Sequence, residues 1–357
     1  MYQQIKNKIK EQIQTGKLRV GDRVPSEKEL TEQFHVSQIT TKNALGGLAE
    51  EGIVVRKKGK GTFVCESNLT NTNGVKLAKL KGLIGLILPS MKTKIEQEFV
   101  NHIEKYVSKN GFNLLIKITR ESQFEEADAI EMFRKIGVVG MIIFPTEKET
   151  YNEAVLRLTL EKFPFVLIDR YMNNIRTYSV SSENEKGTYE AISYLLDKGH
   201  KDIGLVTPII TNTVTEERLR GFEDAFSKRN ITINKNLRSV LNFRDISEYE
   251  TPVIIKDFIE SKQEITAVFT MNAELAMYTN LAIREIRKKT ARNIELVSFD
   301  FSGITGVSYV QQNINECSKQ TVRLIKEQIE SEYDPKRIFV PVKLIIKADE
   351  ESLEVVN

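Results

Sequence analysis

Apolar positions in the first 65 residues fall at helical spacing and then give way to short β-rich runs. Ile5, Ile9 and Ile13 recur every four residues, which predicts an opening helix with one apolar face, ended at Gly16. Ser26 precedes Glu27, Glu29, Leu30 and Phe34, the pattern of a capped helix with acidic residues in its first turn. Ser37 begins a second helix with Ala44, Leu45 and Leu48 facing inward, and Glu50, Glu51 and Gly52 end it. Two short runs, 53 to 55 and 62 to 64, flank Arg56-Lys57-Lys58-Gly59-Lys60-Gly61, so a hairpin is predicted with glycines where positive φ is needed.

Beyond this the pattern lapses. Residues 66 to 80 are polar, rich in Asn and Thr as far as Gly74, and without periodicity, which predicts a linker between a first domain of 1 to 65 and a second of 81 to 357. From Lys81 apolar runs alternate with amphipathic stretches. Strands are expected at 83 to 88, 113 to 118, 138 to 144, 165 to 169, 203 to 207, near 240, at 267 to 270 and at 296 to 300. Helices are expected at 96 to 109, 125 to 135, ending near 162, and at 185 to 198, 216 to 228, 252 to 260 and 273 to 287. This β-α-β rhythm predicts an α/β fold of doubly wound parallel sheets. The strands are too many for one such unit, so two lobes with a cleft between them are expected, with ligands at the carboxyl ends of the strands. A helix at 316 to 330 and a strand at 342 to 346 are expected to complete the first lobe, which requires the chain to cross between lobes more than once.

Length supports the division: 357 residues suit a small module and a large one. The net charge of +3 conceals an asymmetry, because residues 1 to 66 carry 12 Lys/Arg against 8 Asp/Glu, whereas the remainder carries 40 against 41. Cys65 and Cys317 are the only cysteines, far apart in sequence, which fits a reduced compartment and two unreactive thiols. There is no run of about 18 apolar residues, and the opening stretch is amphipathic rather than a leader. A cytoplasmic protein with no membrane partner is expected.

Four cations on one small loop repel one another unless an anion compensates, and a phosphate backbone is the natural candidate. Two short helices and a basic hairpin form the layout of a winged helix-turn-helix, whose second helix enters the major groove with its N-terminus leading. The candidate DNA contacts are Lys28, Ser37, Gln38, Thr40 and Lys42 on the helices, with Lys58 and Gly59 on the loop. Residues 2 to 64 resemble the DNA-binding domain of the GntR family, on Pro25-Ser26-Glu27-Lys28-Glu29-Leu30, Val36-Ser37, Ala44-Leu45, Glu51-Gly52 and Gly59-Lys60-Gly61-Thr62-Phe63-Val64. Gln38 and Lys42 stand where that family usually has Arg, and Thr41 where it has an apolar residue.

The second domain carries its own resemblance. IGLILPS (84 to 90), GMIIFP (140 to 145), PFVLIDR (164 to 170), YLLDKGHKDIGLV (194 to 206), ERLRGFEDAF (217 to 226), AVFTMNAELA (267 to 276) and LVSFD (296 to 300) resemble, in this order, the periplasmic-binding-protein-like effector domain of the LacI/GalR repressors. A GntR-like head on a LacI-like body resembles the arabinose-repressor subgroup. That resemblance implies a dimeric transcriptional repressor that binds a palindromic double-stranded DNA operator and answers to a sugar-like effector.

Ser90, Asp169, Arg170, Arg218, Asn272 and Asp300 fall at strand ends or helix starts facing the expected cleft, where carboxylate, amide and guanidinium groups offer bidentate hydrogen bonds to vicinal hydroxyls. By resemblance Arg218, three before Gly221, and Asn272 and Asp300 match the family's ligand contacts, with Asp169 and Ser90 a looser match. Asp169 and Arg170 could instead form a strand-end salt bridge. Phe301 stands where the family commonly has a second acid, and 91 to 95 lacks its Asn-Pro-Phe, so no particular ligand carries over. Catalytic motifs are missing: there is no G-x-S-x-G, P-loop or G-x-G-x-x-G, and His35, His102 and His200 lack metal-site spacing. No cofactor or metal is expected. The alternative reading is an enzyme on a two-lobed α/β scaffold using Asp169 and Asp300.

Overall fold

A computed structural model of the chain describes residues 2–57, 59–65, 81–146, 152–242, 246–330 and 333–347. Lys58 and the expected linker 66–80 lie outside the described residues. The chain divides into two compact units, Met1–Ala78 and Lys79–Asn357.

The first unit holds α1 (Tyr2–Gln14), α2 (Glu27–Phe34), α3 (Gln38–Glu50), β1 (Val54–Lys57) and β2 (Gly61–Val64). Ser26 closes a capping box, its hydroxyl accepting from the Glu29 N–H while the Glu29 carboxylate accepts from the Ser26 N–H at 2.6 Å. His35 ends α2 in the left-handed region at φ 49° and donates its N–H to the Thr31 carbonyl. Ser37 then caps α3 by accepting from the Thr40 N–H. Thr41 is fully buried, donates its hydroxyl to the Gln38 carbonyl at 3.0 Å and lies 3.3 Å from the Thr31 hydroxyl, so a paired contact between α2 and α3 replaces the apolar one. Ile5, Ile9, Leu30, Ala44, Leu45 and Leu48 form the core. The strands pair antiparallel, from Val54 opposite Val64 to Lys57 opposite Gly61, with Gly59 at φ 74° and Gly61 at φ 115°.

Among its described residues the second unit holds two six-stranded sheets. The first lobe begins with β3 (Leu83–Leu88), α4 (Lys94–Lys109), β4 (Asn113–Ile118), α5 (Gln123–Ile136), β5 (Gly140–Ile143), α6 (Glu153–Leu160), β6 (Phe165–Ile168) and β7 (Ser179–Ser182). The second comprises α7 (Asn184–Asp197), β8 (Ile203–Pro208), α8 (Thr213–Ser227), β9 (Arg238–Leu241), α9 (Glu250–Ser261), β10 (Ala267–Thr270), α10 (Ala273–Lys289), β11 (Glu295–Phe299) and β12 (Ser308–Gln311). The chain then returns to the first lobe for α11 (Ile314–Glu330) and β13 (Arg337–Val340), and crosses again for β14 (Lys343–Ile345).

The sheet orders are β13-β7-β6-β5-β3-β4 and β14-β12-β11-β10-β8-β9, all parallel except β14. Helices α4 and α11 cover one face of the first sheet, where Phe99, Ile103, Leu324 and Ile325 are buried, and α5 and α6 supply Phe133 and Leu158 to the other. On the second sheet α7 and α8 pack on one face and α9 and α10 on the other.

One expectation is corrected. The strand expected at 342 to 346 as part of the first lobe is β14, an antiparallel edge of the second sheet, and the first lobe is completed instead by β13 pairing with β7. Alternation in 337 to 345 is too short to separate two strands divided by Pro341. Strands β7 and β12 were not expected either: SVSS and SYVQ lack the apolar runs of a buried strand, yet Ser179, Ser181 and Ser182 are all buried.

Candidate functional site

The two lobes bring strand ends together around a buried charged group. Asp169 directly follows β6 and Asp300 directly follows β11, at φ 65° and 68°, conformations uncommon for residues other than glycine. Each is held by its neighbouring strand. The Asp169 N–H donates to the Val180 carbonyl and the Asp300 N–H to that of Val310, both at 2.9 Å. Each turn is closed by a serine hydroxyl, Ser181 onto the Asp169 carbonyl and Ser298 onto the Asp300 carbonyl, both at 2.6 Å.

Arg218, on the second turn of α8, reaches the same place. Its guanidinium stacks 3.5 Å from the centroid of the Phe299 ring, donates Nε to the Asn184 side chain at 3.1 Å and Nη1 to the Met271 carbonyl, and has Nη2 3.9 Å from Asp300. That last distance is a Coulomb contact rather than a hydrogen bond. Gly221 makes the approach possible, because a Cβ there would lie 2.1 Å from the Glu185 carbonyl, so α8 could not pack against α7. Burial disfavours the Arg218 charge, and Asp300, Asp169 and Glu217 support it. Burial also pushes the Asp300 carboxyl up to about 6, against the opposing pull of Arg218 and Gln312, with Asp169 adding to the rise.

Of the remaining expected residues, Arg170 and Asn272 adjoin this group, whereas Ser90 is engaged with the start of α4. Arg170 donates to the Pro145 carbonyl at 2.8 Å, lies over the Phe144 ring and has Nε 3.9 Å from an Asp169 carboxylate oxygen. Asn272 follows Met271, whose carbonyl Arg218 engages, but its side-chain oxygen caps α10 by accepting from the Leu275 N–H at 2.8 Å. Ser90 follows β3 by two residues and donates to the Glu96 carboxylate at 2.6–2.7 Å, which ties it to the start of α4.

Sequence reasoning missed the groups that lock the lobes together. Gln312 donates to both Asp300 carboxylate oxygens, at 2.9 and 3.1 Å, while its carbonyl accepts from Ser182 of the first lobe at 2.6 Å. Tyr171, two residues beyond Asp169, donates its hydroxyl to Glu217 of α8 and its N–H to the Thr213 hydroxyl at 3.2 Å. Asn184 donates to the other Glu217 oxygen at 3.0 Å. Burial raises the Glu217 carboxyl, with Tyr171 and Asn184 pulling the other way, and raises the Tyr171 phenol, with Glu217 adding to it. A signal existed for Glu217: it shares the inward face of α8 with Thr213 and Gly221, where a carboxylate needs a partner. Cys317, buried beside Ser182, has its thiol pushed by burial up to about 12 and is chemically quiet.

In the first unit, Gln38 and Lys42 are exposed on α3, Thr40 is half-buried, and Ser37 is engaged as the cap. Lys28 is exposed on α2 and Gly59 is exposed on the hairpin. Arg56 fastens the hairpin to the helices, donating to the Lys42 carbonyl at 3.0 Å and pairing with Glu27 at 3.3 Å. Lys57 lies over the Phe63 ring. Among the described residues no helix is long and apolar enough to cross a membrane, and no group of His, Cys, Asp and Glu could hold a metal ion.

Two parts of the chain match known families. Residues 1–64 match the family of bacterial regulatory proteins, gntR family, and residues 84–322 match the periplasmic binding protein domain. The arabinose metabolism transcriptional repressor of Halalkalibacterium halodurans is 27% identical over 317 residues, 87% of this chain and 83% of that protein. The arabinose metabolism transcriptional repressor of Geobacillus stearothermophilus is 25% identical over 341 residues, 92% of this chain and 91% of its own length. The Cra transcriptional dual regulator of Pseudomonas putida, in complex with fructose 1-phosphate, superposes with a TM-score of 0.66 at 17% identity, over 75% of this chain and 99% of that one. The chain belongs to the periplasmic binding protein domain family and carries a head of the gntR family of bacterial regulatory proteins.

Proposed function

We propose that this chain is a cytoplasmic, dimeric transcriptional repressor whose affinity for a palindromic operator is set by a neutral sugar or polyol held between the lobes by Arg218, Asp300, Asp169, Arg170 and Asn272, with Ser90 at the rim. It is a ligand-responsive DNA-binding regulator rather than an enzyme on Asp169 and Asp300. The observation that supports the effector reading is the buried charged group where the lobes meet: Asp169 and Asp300, one carboxylate from each lobe, stand with Arg218, Arg170 and Glu217 in one electrostatic field. Such a set suits vicinal hydroxyls, which donate to carboxylates and accept from guanidinium, better than it suits an anion or an apolar ligand. The relatives named for arabinose metabolism make arabinose the first probe.

On the DNA side the capped N-terminus of α3, with Gln38, Thr40 and Lys42, offers the reading surface, and the basic hairpin with Lys57, Lys58, Gly59 and Lys60 offers phosphate contacts. Selection from a randomised duplex library with the full-length chain, followed by titration in rising salt, tests this half. A palindromic site with steep salt dependence is expected, and a flat salt dependence contradicts the hairpin's role. Calorimetry with arabinose, other pentoses, hexoses and their phosphates tests the other half. Tight binding of an aromatic or lipid ligand overturns it.

A further inference from the structure

The exposed face of α3 is polar except at one place. Thr41, Ala44, Leu45 and Leu48 face the core, which leaves Gln38, Ile39, Lys42 and Asn43 exposed. Ile39 is 71% exposed, more than any other large apolar side chain of the described first unit; the next, Val20, is 54% exposed. A single exposed apolar residue is ordinary on a protein surface. What sets Ile39 apart is its position, the second residue of a helix capped by Ser37, beside Gln38 and one turn before Asn43 and Lys42.

A second feature lies on the same face. Gly46 follows Ile39 and Asn43 at the spacing of successive turns, and a Cβ added there would meet nothing within 4 Å. Glycine in a helix interior is unfavourable, so a small residue here is not explained by packing within the unit. It leaves the helix surface bare two turns beyond Ile39 on the same face, where another backbone can come close. A branched apolar side chain held at the leading end of such a helix, flanked by hydrogen-bonding groups, matches one feature of the major groove. Of the four bases only thymine presents a methyl group there, and it is recognised by apolar contact.

We infer that Ile39 is a specificity-determining residue that packs against a thymine C5-methyl group in each operator half-site. This deepens the DNA-binding reading and rests on it. Gln38 beside it suits adenine, so the two residues together favour an A·T-rich step.

The test uses the full-length chain and the duplex it selects from a randomised library, with each thymine replaced singly by deoxyuridine, which deletes the methyl group alone. For the wild type, one symmetric pair of positions should bind about four-fold more weakly as uracil, the effect of leaving one methyl contact unmade. Ile39→Ala should bind thymine and uracil duplexes equally, and Ile39→Val should keep part of the difference. The inference is overturned if every replacement is silent in the wild type, or if Ile39→Ala retains the thymine preference, which would place the methyl contact on another residue. Either result leaves the DNA-binding reading standing. Failure to select any duplex removes both.

Discussion

Asp169 and Asp300 occupy equivalent places in the two lobes. Each follows the strand third from its sheet's edge, each adopts a left-handed backbone conformation, and each is tied by its N–H to the next strand at 2.9 Å. The duplicated sheet order therefore brings two carboxylates to one buried group, and Arg218 meets the field of both. The two differ in support. Asp300 has Gln312 on both oxygens, and through Gln312 it is connected to Ser182 of the opposite lobe.

That environment gives a pH dependence of known sign. The Asp300 carboxyl is raised from its ordinary 3.8 to about 6, mainly by burial, so between these values the folded state binds more protons than the unfolded state. Its contribution to stability is therefore fully present below about 4 and is lost as pH rises through 6. Asp300→Asn should abolish this component. Urea melts of the effector-free chain at pH 4.5 and pH 7 should show wild type losing stability relative to the variant, on the order of 2 kcal/mol across the interval. Parallel curves would contradict a raised Asp300.

Tyr171 and Glu217 tie the lobes at a second point. Tyr171→Phe removes the hydroxyl and leaves the buried Glu217 carboxylate with less support, a loss of about 1–3 kcal/mol for a buried group. The Tyr171 hydrogen bond lowers the Glu217 carboxyl against the rise from burial. Without it the ionised form is harder to keep, so the deficit of Tyr171→Phe should be larger at pH 8 than at pH 5. A pH-independent deficit would show that the pair carries no charge.

Gln38 gives a prediction about sequence preference. Its amide presents a donor and an acceptor together and suits adenine N6 and N7, where Arg suits guanine O6 and N7. Gln38→Arg should move one symmetric pair of operator positions from A to G, with roughly 1–3 kcal/mol of discrimination per contact. Selection from the same library with wild type and variant decides it, and an unchanged preferred sequence would remove Gln38 from the base contacts. Lys42, a point charge without the guanidinium fork, should discriminate less.

Much of this fold was legible because its elements are locally consistent. Ser26, Ser37 and the Ile5, Ile9 and Ile13 stripe each announce a helix by capping or periodicity, and LIGLIL at 83 to 88 announces a buried strand. The strands at the lobe crossings were not legible, since Ser181 and Ser182 are buried through hydrogen bonds to Asp169 and Gln312, which lie outside the local pattern. For the same reason the sequence pointed to Asp169, Arg218 and Asp300 but not to Gln312 or Tyr171. The first three stand at strand ends and on a helix face, whereas the last two matter only through contacts across the lobes.

The central claim is that a ligand in the cleft changes the grip on DNA, and Arg218 is where it is most exposed to test. The measurement is fluorescence anisotropy of the selected operator duplex with the full-length chain, titrated with arabinose and then with the wider sugar panel. One sugar should shift the operator Kd of wild type by about fivefold or more. Arg218→Ala and Arg218→Lys, shown to be folded by circular dichroism, should bind the duplex as wild type does without sugar and show no shift with it. A wild type that answers to no sugar, or an Arg218 variant that answers as wild type does, would contradict the account.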